Sequence, residues 1–149
     1  MQFARLSLIA AAVATLAACG QKAETKPAAE AGAPAEEVVK IASVAPLTGN
    51  IAHLGKDNES GVKLAADDLN AQNIVIDGKK IKFEVVSEDD QADPKVATQV
   101  AQRLVDQKVS AVIGHLNSGT TIPASKIYAD AGIPQISPSS TNPAYTTQE

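Results

Sequence analysis

The sequence predicts an α/β fold built on a doubly wound, mostly parallel β-sheet. From Val38 onward, short apolar runs rich in β-branched residues alternate with amphipathic stretches of helical period, in the order β-α-β-α-β-α-β. The predicted strands are too short and too apolar for a sheet with one solvated face. The 149 residues are enough for one modest domain with its own core. We therefore expect helices on both faces of the sheet and right-handed crossovers.

The first half of this pattern contains a strand, a helix and a hairpin. The strand is predicted over Val38 to Ala45 and the helix over Lys56 to Asn70, with a loop between them. Apolar residues recur in the helix at positions i, i+3, i+4 and i+7 from Val62, which gives one face for packing. An Asp77-Gly78 turn predicts a hairpin whose second arm runs from Ile81 to about Glu88.

The second half contains two helices and two strands. Asp93 suits the N-cap and Pro94 the first position of a helix whose apolar stripe is Val96, Val100, Leu104 and Val105. The run SAVIGHL is a short buried strand. A third helix is predicted over Ser118 to Ala131, with Gly132 just past its end. The run IPQISPSS is the fourth strand and leads into a polar loop.

The N-terminal residues have the composition of an export signal. Residues 1–18 carry Arg5, then an apolar run, then small residues, which is typical of a secretory signal peptide. Leu16-Ala17-Ala18-Cys19 resembles a lipobox, so we expect Cys19 to be acylated and to anchor the chain to a membrane. The alternative is ordinary signal cleavage beside an incidental cysteine. Cys19 is the single cysteine of the sequence, so an intrachain disulfide is excluded.

The segment after the signal predicts a spacer rather than a domain. Residues 19–37 are mostly Ala, Pro, Glu and Lys, with almost nothing to bury, which indicates a flexible tether. Residues 38–149 then form the predicted folded domain.

Composition and motifs exclude several classes of function. The formal net charge of −4, without a basic stripe, argues against a nucleic-acid partner. His53 and His115 have neither HxxxH nor Cys/His spacing, so we expect no metal and no cofactor. We interpret His115 as a structural or hydrogen-bonding residue. GxSxG, GxGxxG and Walker motifs are absent. The acidic run Glu88-Asp89-Asp90 either binds a cation or forms a solvated strand end, and we favour the solvated end.

The strand ends predict a binding site. In open α/β sheets, ligands bind beyond the carboxyl ends of the strands. Two of these ends, residues 114–121 and 137–141, are rich in Ser and Thr, and the first of them opens a helix. A helix N-terminus with hydroxyls around it suits a carboxylate or a phosphate. The alternative is that Ser118 or Thr121 only caps the helix.

Several motifs, in order, resemble one known family. The stretches VKIASVAPLTG, GVKLAADDLNA, EDDQADPKVATQVAQRLV and VSAVIGHLNSGTTIPASKIYADAGIPQISPSSTNP are similar to the leucine/isoleucine/valine-binding proteins. The resemblance covers Val39 to Pro143. It implies a type I periplasmic solute-binding protein without catalysis, which feeds branched-chain amino acids to the permease subunits of an ABC transporter. It also implies two lobes, of which this chain, ending at Glu149, is expected to contain an incomplete first lobe and not the second.

The resemblance also implies which residues hold the ligand. Ser118 would donate to the α-carboxylate, and Thr141 would contribute hydroxyl and backbone groups. Ser139 stands near the ammonium, where the family often uses a main-chain carbonyl. Gly119 and Leu54 complete the expected ligand-binding set. Leu54 replaces an aromatic residue that packs on the ligand in leucine-binding members, which leaves the recognised side chain open.

Two alternatives follow from the same residues. A receptor for another small solute, such as an amide, a polar amino acid or a carboxylate, is consistent with Leu54. An exported α/β hydrolase-like enzyme that uses His115 with Ser118 belongs to another class of function.

Overall fold

The computed structural model describes residues 34–147, so the predicted signal peptide and Cys19 lie outside the described residues. Within that range the chain forms, in order, β1 (Glu36–Ala45), α1 (Ala52–Ala71), β2 (Val75–Ile76), β3 (Lys79–Asp89), α2 (Pro94–Asp106), β4 (Ala111–Gly114), α3 (Ser118–Asp130), β5 (Gln135–Ile136) and a short 3-10 helix (Pro143–Tyr145). No helix of this range has both the length and the apolar character needed to cross a bilayer.

The strands form one mostly parallel sheet, which confirms the predicted α/β fold class. The spatial order is β2-β3-β1-β4-β5. β1 lies at the centre and pairs in parallel with β3 on one side and β4 on the other, and β4 pairs in parallel with β5. β2 is the antiparallel exception and forms the predicted hairpin with β3. The turn residues Asp77 and Gly78 both have positive φ, as that hairpin turn requires.

The larger core lies between the sheet and the helices α2 and α3. Alternate residues of β1 and β4 point to this face because side chains alternate along a strand. Complete burial of one Val or Leu side chain contributes about 1.5–3 kcal/mol to stability. The buried cluster comprises Ala42, Val44, Val100, Ala101, Leu104, Val109, Val112, Ala124 and Tyr128.

Helix α1 covers the other face of the sheet less completely. The intervening residues of β1 and β4, Ile41 and Ile113, point to this face. Between them and α1 lies an apolar cleft of about 520 Å³, to which Val62, Phe83 and Val85 also contribute. The two sides of the sheet therefore differ in how closely they are packed.

Helix α2 follows the prediction. The Asp93 carboxylate accepts hydrogen bonds from the backbone N–H groups of Lys95 and Val96, and Pro94 is the first helical residue. Val100 and Leu104 are fully buried, as the predicted stripe requires. Two small residues missing from that stripe, Ala97 and Ala101, are buried as well.

Several element boundaries differ from the prediction. β1 begins at Glu36, two residues earlier than predicted, and α1 begins at Ala52 rather than Lys56. The early turn of α1 packs closely on the loop after β1: a Cβ at Gly55 would lie 1.9 Å from the Pro46 carbonyl oxygen. β5 is only two residues long because it is enclosed by prolines, which have no N–H to donate to a strand ladder.

Candidate functional site

Four loops meet at one end of the sheet, where the parallel strands β1, β3, β4 and β5 finish. The chain leaves β1 towards β3 on one side and later returns to β4 on the other side. The strand order therefore reverses between β1 and β4. In open α/β sheets this switch point is where a ligand-binding crevice forms.

The Asp89 carboxylate fixes the loop after β1. Its Oδ1 accepts from the backbone N–H groups of Leu47 and Gln91, both at 2.8 Å, and its Oδ2 accepts from Thr48 Oγ1 at 2.6 Å. Burial acts to raise the pKa of Asp89, but the hydrogen bonds from Thr48, Gln91 and Leu47 outweigh it. The pKa of this carboxyl therefore lies below its usual value.

Asp90 forms a buried hydrogen-bonded chain with His115 and Tyr128. His115 Nδ1 lies 2.7 Å from Asp90 Oδ2, and His115 Nε2 lies 3.2 Å from the Tyr128 hydroxyl. All three residues are fully buried. Burial raises the pKa of the Tyr128 hydroxyl, and the charges of Asp90 and Glu88 raise it further. This hydroxyl therefore remains protonated and available to donate.

These contacts correct one prediction and confirm another. The run Glu88-Asp89-Asp90 is not a solvated strand end: Asp90 is inaccessible, Asp89 holds a loop, and Glu88 pairs with Arg103 at 2.8 Å. The reason is that the loops after β1 and β4 close over the end of β3. The hydrogen-bonding role expected of His115 is confirmed.

The start of α3 differs from the simple capping hypothesis. Asn117 is the N-cap, and its side chain makes no capping hydrogen bond. The Thr121 hydroxyl contacts the His115 carbonyl at 3.0 Å instead of a helix N–H. Neither Ser118 nor Thr121 is therefore the cap. The first amides of a helix have no intrahelical partner, so they remain available to an anion.

Three predicted ligand-binding residues differ in what they can still donate. Ser118 Oγ accepts from the Asn142 N–H at 3.2 Å, and its own proton is used in no hydrogen bond within residues 34–147. Ser139 Oγ donates to the Leu116 carbonyl at 2.7 Å, so this hydroxyl can only accept a further bond. Thr141 is exposed. Ser118 is thus a donor suited to a carboxylate, and Ser139 an acceptor suited to an ammonium.

Gly119 and Leu54 complete the predicted set. Gly119 is exposed in the first turn of α3, and an added Cβ there would meet nothing within 4 Å. Leu54 lies in the first turn of α1, after the β1 loop, and is 47% exposed. The structure brings Ser118 and Ser139 together through the neighbouring loop backbone, whereas Leu54 stands on a separate element.

A hydroxyl network that the sequence did not predict lies behind these residues. Ser137 Oγ lies 2.6 Å from the His115 carbonyl and 2.7 Å from Ser140 Oγ, and Thr121 Oγ1 lies 2.6 Å from Ser140 Oγ. The Thr121 hydroxyl also contacts the His115 carbonyl. The hydroxyl groups of Ser137, Ser140 and Thr121 thus have three protons for four hydrogen-bonding contacts. The network therefore has no proton to spare for a ligand and holds the two loops together. The Ser/Thr content at both strand ends was the only signal for it in the sequence.

The acidic run Glu88-Asp89-Asp90 does not belong to a metal site in the described part of the chain: residues 34–147 contain no group of three or more His, Cys, Asp or Glu side chains placed to hold a metal ion.

The fold defines the class as an α/β lobe with a mostly parallel sheet, and the loops described above meet at the switch point of that sheet. Residues 38–149 match the family model described as periplasmic binding protein. The chain belongs to this family.

Similarity to named binding proteins supports the assignment to this family. An amino acid binding protein of Pseudomonas aeruginosa is 49% identical over 109 residues, which are 72% of this chain and 28% of the relative. The Leu/Ile/Val-binding protein of Escherichia coli K12 is 39% identical over 112 residues, which are 75% of this chain and 30% of the relative. The resemblance drawn from the sequence motifs is thereby confirmed. The chain spans less than a third of the length of these relatives.

A solved structure shows the same lobe. The substrate-binding protein of a branched-chain amino acid transporter from Streptococcus pneumoniae, in complex with isoleucine, superposes with a TM-score of 0.66 at 39% identity. The match covers 74% of this chain and 31% of that one.

Proposed function

We propose that this chain is part of the substrate-binding component of an ABC transporter and binds branched-chain amino acids for import. The observation that carries the proposal is the pair of unlike hydroxyls, Ser118 and Ser139, beside the uncapped N-terminus of α3. The identity to amino acid binding proteins supports this choice of ligand. The permease subunits of the transporter are the proposed protein partners.

The proposed placement of the ligand follows from which hydroxyl groups of the site can still donate and which can only accept. The α-carboxylate accepts from the Ser118 hydroxyl and from the free amides of Ser118 and Gly119, where the helix dipole also favours negative charge. The ammonium donates to Ser139 Oγ, whose own proton is already used. Thr141 adds a further polar group, and Leu54 provides apolar surface for the side chain. A second lobe would supply the acidic partner of the ammonium.

The variant Ser118→Ala tests this proposal. In the full-length protein the Kd for L-leucine should rise by about tenfold or more, because a hydrogen bond to a charged group contributes about 1.5–3 kcal/mol. Isothermal titration calorimetry measures the change. Ser60→Ala is the matched control, because Ser60 Oγ donates only to the Lys56 carbonyl on the exposed side of α1. Equal affinity in both variants would remove Ser118 from the site.

Leu54 favours a second candidate within the same class of function. It is 47% exposed, and it is aliphatic where the resemblance implies that leucine-binding members carry an aromatic residue packed on the ligand. A polar amino acid, an amide or another small carboxylate would then be the ligand. The same calorimetry with glutamine and a small dicarboxylate decides between them: heat with either one and none with leucine, isoleucine or valine would replace the first candidate.

We also propose binding without catalysis. Both ring nitrogens of His115 already have partners inside the fold, so this side chain has no nitrogen left to activate Ser118. The family is one of solute-binding proteins, which supports the proposal.

We propose that the mature protein resides in the periplasm, anchored through acylated Cys19, which lies outside the described residues. The lipobox-like Leu16-Ala17-Ala18-Cys19 supports this, since several acyl chains together hold a protein durably on a membrane. Intact mass spectrometry of the protein purified from its native membranes should give a mature N-terminus at Cys19 with added acyl mass. A mature chain cut elsewhere and without acyl groups would contradict the anchor.

A further inference from the structure

We propose that His115 is a positioning residue for the ligand site, held by Asp90 and Tyr128 so that its backbone sets the two loops that carry Ser118 and Ser139. The proposal rests on the proposed function for the identity of the ligand. It adds a role for three buried residues that do not touch a ligand themselves.

The His115 ring lies between two hydrogen-bonding partners. An ionised carboxylate can only accept, so the contact of 2.7 Å with Asp90 assigns a proton to Nδ1. Nε2 lies 3.2 Å from the Tyr128 hydroxyl, which keeps its proton because burial raises its pKa. Because the three side chains are fully buried, no water competes for these bonds. The ring is therefore held in one orientation by a contact at each nitrogen.

Asp90 is itself held by hydrogen bonds to its side chain and its backbone. Its Oδ1 accepts from the Ala92 N–H at 3.0 Å, its own N–H donates to the Ala45 carbonyl at 3.3 Å, and its carbonyl accepts from the Asp93 N–H at 2.9 Å. Tyr128 is packed in the core on α3. The ring is thus fixed from the end of β3 on one side and from α3 on the other.

The carbonyls of His115 and Leu116 connect the ring to the loops. The His115 carbonyl receives Ser137 Oγ at 2.6 Å and Thr121 Oγ1 at 3.0 Å, and the next carbonyl, of Leu116, receives Ser139 Oγ at 2.7 Å. Ser118 follows two residues later. A rotation of the His115–Leu116 backbone would therefore move the carboxylate donor and the ammonium acceptor together.

The test compares Tyr128→Phe with Val100→Ala in the full-length protein. Tyr128→Phe removes one hydrogen bond from the ring, whereas Val100→Ala weakens the same core without touching the network. Tyr128→Phe should raise the Kd for L-leucine by about threefold to tenfold. Val100→Ala should lower the Tm at least as much and leave the Kd unchanged. An equal Kd for L-leucine in the two variants would overturn the proposal.

Two NMR readouts do not depend on ligand binding. Long-range ¹H–¹⁵N spectra of the unaltered protein should show the His115 proton on Nδ1, and a proton only on Nε2 would overturn the proposal even if Tyr128→Phe did not fold. The amides of Ser140 and Asn142 donate to Ser137 Oγ and Ser118 Oγ and so report on both loops. In ligand-free protein their hydrogen exchange should accelerate in Tyr128→Phe and not in Val100→Ala.

These readouts separate failure of this proposal from failure of the proposed function. If the unaltered protein does not bind leucine, the function falls, while exchange at Ser140 and Asn142 still decides whether His115 positions the loops. If leucine binds and exchange is the same in both variants, the function stands and the positioning role is excluded.

Discussion

Gly114 occupies a position that no residue with a side chain can occupy without moving β1. Its φ is +134°, and a Cβ there would lie 2.2 Å from the Val44 carbonyl oxygen. The close approach brings the ends of β1 and β4 together immediately before His115. One glycine thus determines how closely the two strands at the switch point can meet.

Gly114→Ala should therefore be strongly destabilising. Positive φ and overlap with backbone both oppose the methyl group, so the free energy of unfolding should fall by about 3 kcal/mol or more. Urea denaturation measures it. Gly61→Ala is the control: an added Cβ in this exposed part of α1 meets nothing within 4 Å, and Ala should stabilise the helix by up to about 1 kcal/mol. A similar result for both variants would show that β1 and β4 can separate without cost.

At the scale of elements, the features predicted best are those whose signal is local. The N-cap Asp93 and the Asp77-Gly78 turn act within a few residues, and both are present as expected. The start of α1 was missed because it depends on contact between Gly55 and Pro46 across a loop. The candidate site was likewise predicted only where its signal is local. Strand-end hydroxyls were visible in the sequence, whereas the partners Asp90 and Tyr128 lie 25 and 13 residues from His115.

The two N-caps of α2 and α3 give a prediction at this scale. Asp93→Ala removes two hydrogen bonds to helix amides, at 2.7 and 3.1 Å, and should lower the free energy of unfolding by about 1 kcal/mol. Asn117→Ala should cost less because the Asn117 side chain makes no capping bond. Thermal unfolding monitored by circular dichroism compares them. A greater loss for Asn117→Ala would mean that α3 is capped after all.

At the scale of the whole molecule, the central position of β1 has a consequence for how the chain folds. Within residues 34–147, β1 is the first strand, yet one of its edges stays open until β4 has been made, when Ile41 pairs with Ala111. Its other edge closes earlier, with β3. Contacts between such distant parts of a chain form slowly. Until they form, the unpaired edge of β1 can pair with a wrong strand. A nascent chain that has extended only as far as α2 would therefore be the species most in need of a chaperone.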